Sequence, residues 1–171
     1  HRNWRKMSLW EESTHVPLAI RLPAQTVGQR CEQVVSLLDV YPTLTALCNL
    51  PAVPSNEGLP LTTLLNNPIF ERKLPAITTW GYKNHSVRDE NLRYTLYRDG
   101  SEELFDHKKD PHEHTNVAHD ESYSETKAQL RSWLPKHNQL PPEMTEFNGD
   151  FLDKRLEKWQ EENGIPDWLS S

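Results

Sequence analysis

No run of apolar residues in this chain approaches the length that crosses a bilayer, and no secretory leader opens it. Without a leader to read, the compartment stays open. An excess of positive charge is also missing. Lys and Arg number 19 against 25 Asp and Glu, and the net charge of −6 removes any general pull toward nucleic acid or anionic lipid. Cysteine is scarce: Cys31 and Cys48 supply neither a disulfide framework nor a zinc pattern. Cys48 falls on the apolar face of an expected helix, where a buried thiol is the ordinary outcome, and a single bridge between the two cysteines stays open. Apolar residues are sparse altogether. At 35% hydrophobic and a mean hydropathy of −0.80 the chain is poor for a self-sufficient globule, as though part of its core lay elsewhere. Still, 171 residues suffice for one domain, or two small ones, with a real core.

What is present has a readable order, without internal repeats. The apolar run 18–22 is bounded by Pro17 and Pro23, which predicts a buried strand from Val16 to Leu22. Over residues 32–50, Val35, Leu38, Leu44, Leu47 and Cys48 recur at helical spacing. Pro42 interrupts them, so a turn of helix ends near Val40 and a second begins with Pro42 in its first turn. Asn49 stops that helix. Residues 51–60 form a loop and 59–65 a short helical piece. Four strand-like segments follow at 75–80, 85–89, 92–98 and 102–106, with Asp99-Gly100 a strong hairpin signal, so an antiparallel meander is expected. An amphipathic helix covers 122–134, and after a proline-rich stretch a charged helix covers 151–163.

Four blocks carry a resemblance beyond these patterns: WRKMSLWEESTHVPLAIRLP, VVSLLDVYPTLTALCNLP, PAITTW and HSVRDENLRYTLYRDGSEELFDHKKDPHEHTNVA. In this order and spacing they resemble consecutive segments of sulfatases, over roughly residues 4–137. The resemblance implies an α/β fold of the alkaline-phosphatase-like sandwich type. This chain would be its C-terminal portion, α+β in itself, with a small four-stranded antiparallel sheet packed on a helix. Three divisions follow: 1–72 as the remnant of the large catalytic domain, 73–137 as the small sheet subdomain, and 138–171 as a tail.

Sulfatases hydrolyse sulfate esters with a formylglycine made from Cys or Ser in a C/S-x-P-S/A-R motif, beside a calcium ion and cationic groups that neutralise charge on sulfate. This chain has no such motif, because Cys31 is followed by Glu-Gln-Val and Cys48 by Asn-Leu-Pro. The family's acidic metal ligands are missing too. Ca2+ is thus implied for the complete enzyme only, and the chain alone is expected to be inactive.

Lys6 is the one catalytic-type residue that the resemblance carries over. It stands at the W-x-K lysine that contacts sulfate near the leaving oxygen, a task suited to a compact ammonium with three donors; a solvated lysine in a basic run is the alternative. Trp80, Tyr82, His85 and Arg88 are candidates for gripping a sulfated sugar at the pocket mouth. Against that, Trp80 would pack in the sheet and Arg88 pair with Glu90 or Asp106. His15, at the strand entrance, is expected to be structural. Glu11 and Glu12 are adjacent and so do not form an acid/base pair. His107, His112, His114 and His119 match no metal spacing and read as a solvated loop; Asp110-Pro111, Glu113 and Asn116 read as a structural turn.

The leading expectation is therefore a C-terminal portion of a sulfuric ester hydrolase acting on sulfated carbohydrate, periplasmic or extracellular by family habit. A phosphate or phosphonate ester hydrolase of the same superfamily, or a non-catalytic module derived from a sulfatase, are the alternatives. The expected partner is the N-terminal part of the enzyme, or a second copy pairing through the 16–22 strand. Neither nucleic acid nor membrane is expected.

Overall fold

The computed structural model describes residues 8–23 and 25–138. The chain divides into two units, His1–Lys136 and His137–Ser171. The second unit lies almost wholly outside the described residues, as does the charged helix expected over 151–163.

The meander forms as its short connections require. Strands β1 (Ala76–Thr79), β2 (His85–Arg88), β3 (Leu92–Leu96) and β4 (Glu102–Asp106) pair antiparallel in chain order. Asp99-Gly100 closes the last hairpin: Gly100 takes φ +87°, and the Asp99 carboxylate accepts the Ser101 N–H at 2.9 Å. Register decides what each face carries. Ile77, Val87, Tyr94 and Leu104 stand opposite one another on one face. That face is apolar and packs with Leu130 of helix α4 (Ser124–Arg131) and with Ala118. Ser86, Arg88, Arg93, Thr95, Glu103 and Phe105 take the alternate positions and therefore the other face. It is covered by an N-terminal arm that includes the buried Leu9, Trp10 and a one-turn helix α1 (Glu11–Thr14).

Ahead of the sheet, a 3-10 turn (Leu37–Asp39) leads into helix α2 (Val40–Leu47), with Pro42 in its first turn as expected. Asn49 stops it in the left-handed region at φ +53°. Asp39 ties this part together. Its carboxylate accepts the Ser36 and Leu59 N–H groups at 2.8 Å each and the Arg72 guanidinium at 2.7 Å. Thr43 then accepts Leu61 N–H at 2.8 Å, which seats the entry to helix α3 (Thr62–Asn66).

Two expectations are corrected. Residues 16–22 form no strand, and Val16 and Leu18 are 48% and 42% exposed. A strand needs a hydrogen-bonded neighbour, and no described strand lies beside them. Helix α2 also turns the other way. It buries Pro42, Thr43 and Thr45, while Leu37, Leu38, Tyr41, Leu44 and Cys48 are exposed. Its apolar face is open, and Cys48 is a free, exposed thiol on that face; Cys31 is likewise free.

Candidate functional site

The densest chemistry sits where the arm crosses the polar face of the sheet. Arg93, the second residue of β3, is fully buried, and each arm of its guanidinium is engaged. Its Nε donates to Glu113 Oε1 at 2.7 Å, Nη1 donates to the Leu9 carbonyl at 3.0 Å and Ser86 Oγ at 3.1 Å, and Nη2 pairs with Glu11. Arg88, its cross-strand neighbour, donates through Nε to Glu11 Oε2 at 3.1 Å. The other Glu113 oxygen accepts the Glu11 backbone N–H at 2.8 Å, satisfying a donor that the first turn of α1 leaves free. Trp10 adds a third hold, its indole N–H donating to Glu103 at 3.0 Å.

His107 closes the cluster, and its tautomer follows from its neighbours. Arg88 Nη2 can only donate, so His107 Nδ1 accepts it at 3.0 Å and Nε2–H donates to Glu113 Oε1 at 2.8 Å. Glu113 reaches inward from a left-handed backbone, φ +56°, in the loop whose turn Asp110 fixes by accepting the Thr115 N–H at 2.7 Å. Burial pushes the Glu11 carboxyl up, but the Arg88 and Arg93 guanidiniums outweigh it and bring the group down to about 2. Glu113 is moved the same way: burial raises it, and hydrogen bonding from His107 with the nearby Arg93 charge prevails.

Glu11, His107 and Glu113 come close enough together to hold a cation. The group does not fit one. Two guanidiniums already balance the two carboxylates, and Glu113 Oε1 accepts from both Arg93 and His107. The arrangement is a clamp, able to fix a backbone segment and unsuited to metal chemistry.

The candidate residues read from sequence do not converge. Lys6 lies outside the described residues. His85 and Arg88 sit on opposite faces of the sheet: His85 is buried and bonds Thr79 Oγ1 at 2.8 Å, whereas Arg88 joins the clamp through Glu11 rather than Glu90 or Asp106. Trp80 is 40% exposed at the β1–β2 turn. Tyr82, in the same turn, has the Lys83 ammonium and the Arg98 guanidinium over its ring, 5.2 and 5.6 Å from the ring centre. His15 bonds Glu11 at 3.3 Å from an exposed position. No sequence signal announces the clamp, whose partners are up to 102 residues apart. The alternation Leu-Arg-Tyr-Thr-Leu in β3 does place Arg93 opposite the apolar face, but no local pattern names its acids.

A cleft of about 1780 Å³ is lined by residues of the N-terminal segment before α2, by β1, and by Leu61 and Leu64. Ile77, Thr79, Trp80, Val16, Leu18 and Ile20 are among its lining residues.

Residues 1–139 match the family described as N-sulphoglucosamine sulphohydrolase, C-terminal. A sulfatase of Formosa agariphila is 35% identical over 133 residues, 78% of this chain and 26% of that protein. Human arylsulfatase K is 32% identical over 133 residues, 69% of this chain and 25% of that protein. Among solved structures, a putative sulfatase from Bacteroides thetaiotaomicron superposes with a TM-score of 0.50 at 26% identity, over 61% of this chain and 27% of that one. A 2-O GAG sulfatase does so at 0.50 and 25%, over 72% and 26%. The chain spans about a quarter of the length of the curated relatives it matches. By the match over 1–139 and the sheet-and-helix architecture, this chain belongs to the sulfatases, in the family that comprises the C-terminal region of N-sulphoglucosamine sulphohydrolase.

Proposed function

We propose that this chain is the C-terminal portion of a sulfuric ester hydrolase acting on sulfated carbohydrate. The observation that carries it is the match of residues 1–139 to a sulfatase C-terminal family, with WRKMSLWEES included. The 2-O GAG sulfatase among the structural relatives supports a sulfated sugar as substrate. Lys6 supplies a cation to the sulfate near the leaving oxygen, and the formylglycine nucleophile and calcium belong to the portion outside these residues. Trp80 and Tyr82, in the β1–β2 turn, are the candidates for sugar contact; His85 and Arg88 spend their hydrogen bonds inside the protein.

The partner is the N-terminal part of the same enzyme. Its seat is segment 16–22, which joins no described sheet, together with the open face of Leu37, Tyr41 and Leu44. The test is an assay of the complete polypeptide on an aryl sulfate and a sulfated sugar. Turnover is expected there, to be lost with EGTA, and none is expected from residues 1–171 alone. Lys6→Ala should lower kcat by about 100-fold, the scale for deleting one donor to a developing anion. Undiminished turnover in Lys6→Ala removes the role given to that lysine.

A further inference from the structure

We infer that the β1–β2 turn and Arg98 form a binding site for an anionic sugar residue, in which Lys83 and Arg98 take its sulfate or carboxylate groups and Trp80 the face of its ring. The inference rests on the sulfated-carbohydrate reading above and names the groups that hold the sugar's charge. Three features carry it. The first is uncompensated charge. Arg30, Arg72, Arg88, Arg93 and Arg131 each pair with an acid. Lys83 and Arg98 are exposed and, among the described residues, pair with none. Both lie instead over the Tyr82 ring, in a chain whose net charge is −6. Asp99, the acid beside Arg98, is turned to Ser101, accepting its N–H at 2.9 Å and its hydroxyl at 2.6 Å. A cation over an exposed ring adds little stability, so folding alone does not account for two of them.

The second is preorganisation. Asn84 ties the two cation-bearing stretches together. Its side-chain amide donates to the Trp80 carbonyl at 2.9 Å, and its side-chain oxygen accepts the Arg98 N–H at 2.9 Å. Its own carbonyl accepts the Trp80 N–H at 3.0 Å and closes the turn. Lys83 sits within that turn at φ +63°, a conformation costly for lysine and free for glycine, which points to a use for its ammonium. A site held in place before its ligand arrives loses less on binding. The third is the mixture of groups. Trp80 is an exposed aromatic across the turn from Asn84, and a recess of about 540 Å³ is lined by Asn84, Tyr97, Arg98, Asp99 and Ser101. A sugar suits this mixture, because a hydroxyl can donate to Asp99 where a bare anion would be repelled.

The test takes Lys83→Gly, which suits the left-handed backbone, Arg98→Gln, and the two combined, all in the complete enzyme with a heparin-derived tetrasaccharide as probe. Its dissociation constant, read by calorimetry in EGTA to hold off turnover, should rise about 2- to 5-fold in each single variant and about 5- to 20-fold in the double one, the scale of exposed charge contacts. The desulfated tetrasaccharide should bind the unaltered enzyme no better than it binds the double variant. Inorganic sulfate at the same concentration should leave the tetrasaccharide in place; displacement would mark a site for any simple anion and overturn the inference. Under turnover, kcat/KM for the tetrasaccharide relative to that for 4-nitrophenyl sulfate, which has no sugar, should fall by about 5- to 20-fold in the double variant. A variant that is merely unstable loses both substrates alike. An unchanged dissociation constant or an unchanged ratio overturns the inference and leaves the sulfatase reading standing. If the unaltered enzyme cleaves neither sulfate while the double variant still weakens binding, the sulfatase reading has failed and the sugar site stands.

Discussion

Glu11 is the residue on which most of the site depends, and it is tuned by its neighbours. Its carboxyl stands at about 2 in the folded chain against 4.5 ordinarily, because Arg88 and Arg93 outweigh its burial. A group depressed by folding stabilises the native state above its unfolded value and loses that contribution as pH falls. The contribution of Glu11 is therefore complete above about pH 5 and gone near about pH 2. Glu113, Asp39 and Glu102 are depressed too, so the whole chain should weaken in acid. Glu11→Gln should be less stable than the parent at pH 7 and closer to it at pH 3, as read by urea midpoints. An unchanged gap between the two would show that the Glu11 ion pairs carry no stability. Arg72 is engaged at the second knot, although its Nε is buried without a partner, so the geometry there is less complete than at Arg93.

Among the elements, β3 explains what was legible and what was not. Its alternation, the Asp99-Gly100 turn and the strand lengths are local, so the meander and its helix could be read from the residues. Even the break at Pro42 was correct, since a missing N–H is harmless only in a first turn. The structure departs from the expected 16–22 strand and from a buried Cys48 for a common reason. Both depend on surfaces that the described residues do not provide, and periodicity records that a face is apolar without recording what covers it. The clamp lay beyond reach for the opposite reason: its residues are polar, scattered and matched only in space. One loop position is also decided by space. A Cβ on Gly58 would meet the Leu38 carbonyl oxygen at 2.1 Å and its carbon at 2.4 Å, both backbone. Gly58→Ala should thus cost about 1–3 kcal/mol, the scale for overpacking, in chemical denaturation. A cost below about 0.5 kcal/mol, the range of neutral surface changes, would mean the loop moves aside freely.

At the scale of the molecule, the sparse hydrophobic content has a structural counterpart. Among the described residues the buried apolar cluster between the sheet and α4 is modest, while Leu37, which is 69% exposed, and Tyr41 and Leu44 of α2 form an uncovered apolar face. Residues 1–171 in isolation should therefore self-associate as concentration rises, and Leu44→Lys should relieve it; sedimentation velocity reads both. A monodisperse monomer throughout would show that this face tolerates water. The clamp has a consequence in time as well. Glu11 and Glu113 are separated by 102 residues. At a synthesis rate of about 5–20 residues per second, the arm waits roughly 5 to 20 seconds on the ribosome before its acidic anchor has even been made. The stretch of Leu9, Trp10 and Glu11 is thus made well before the groups that lock it exist.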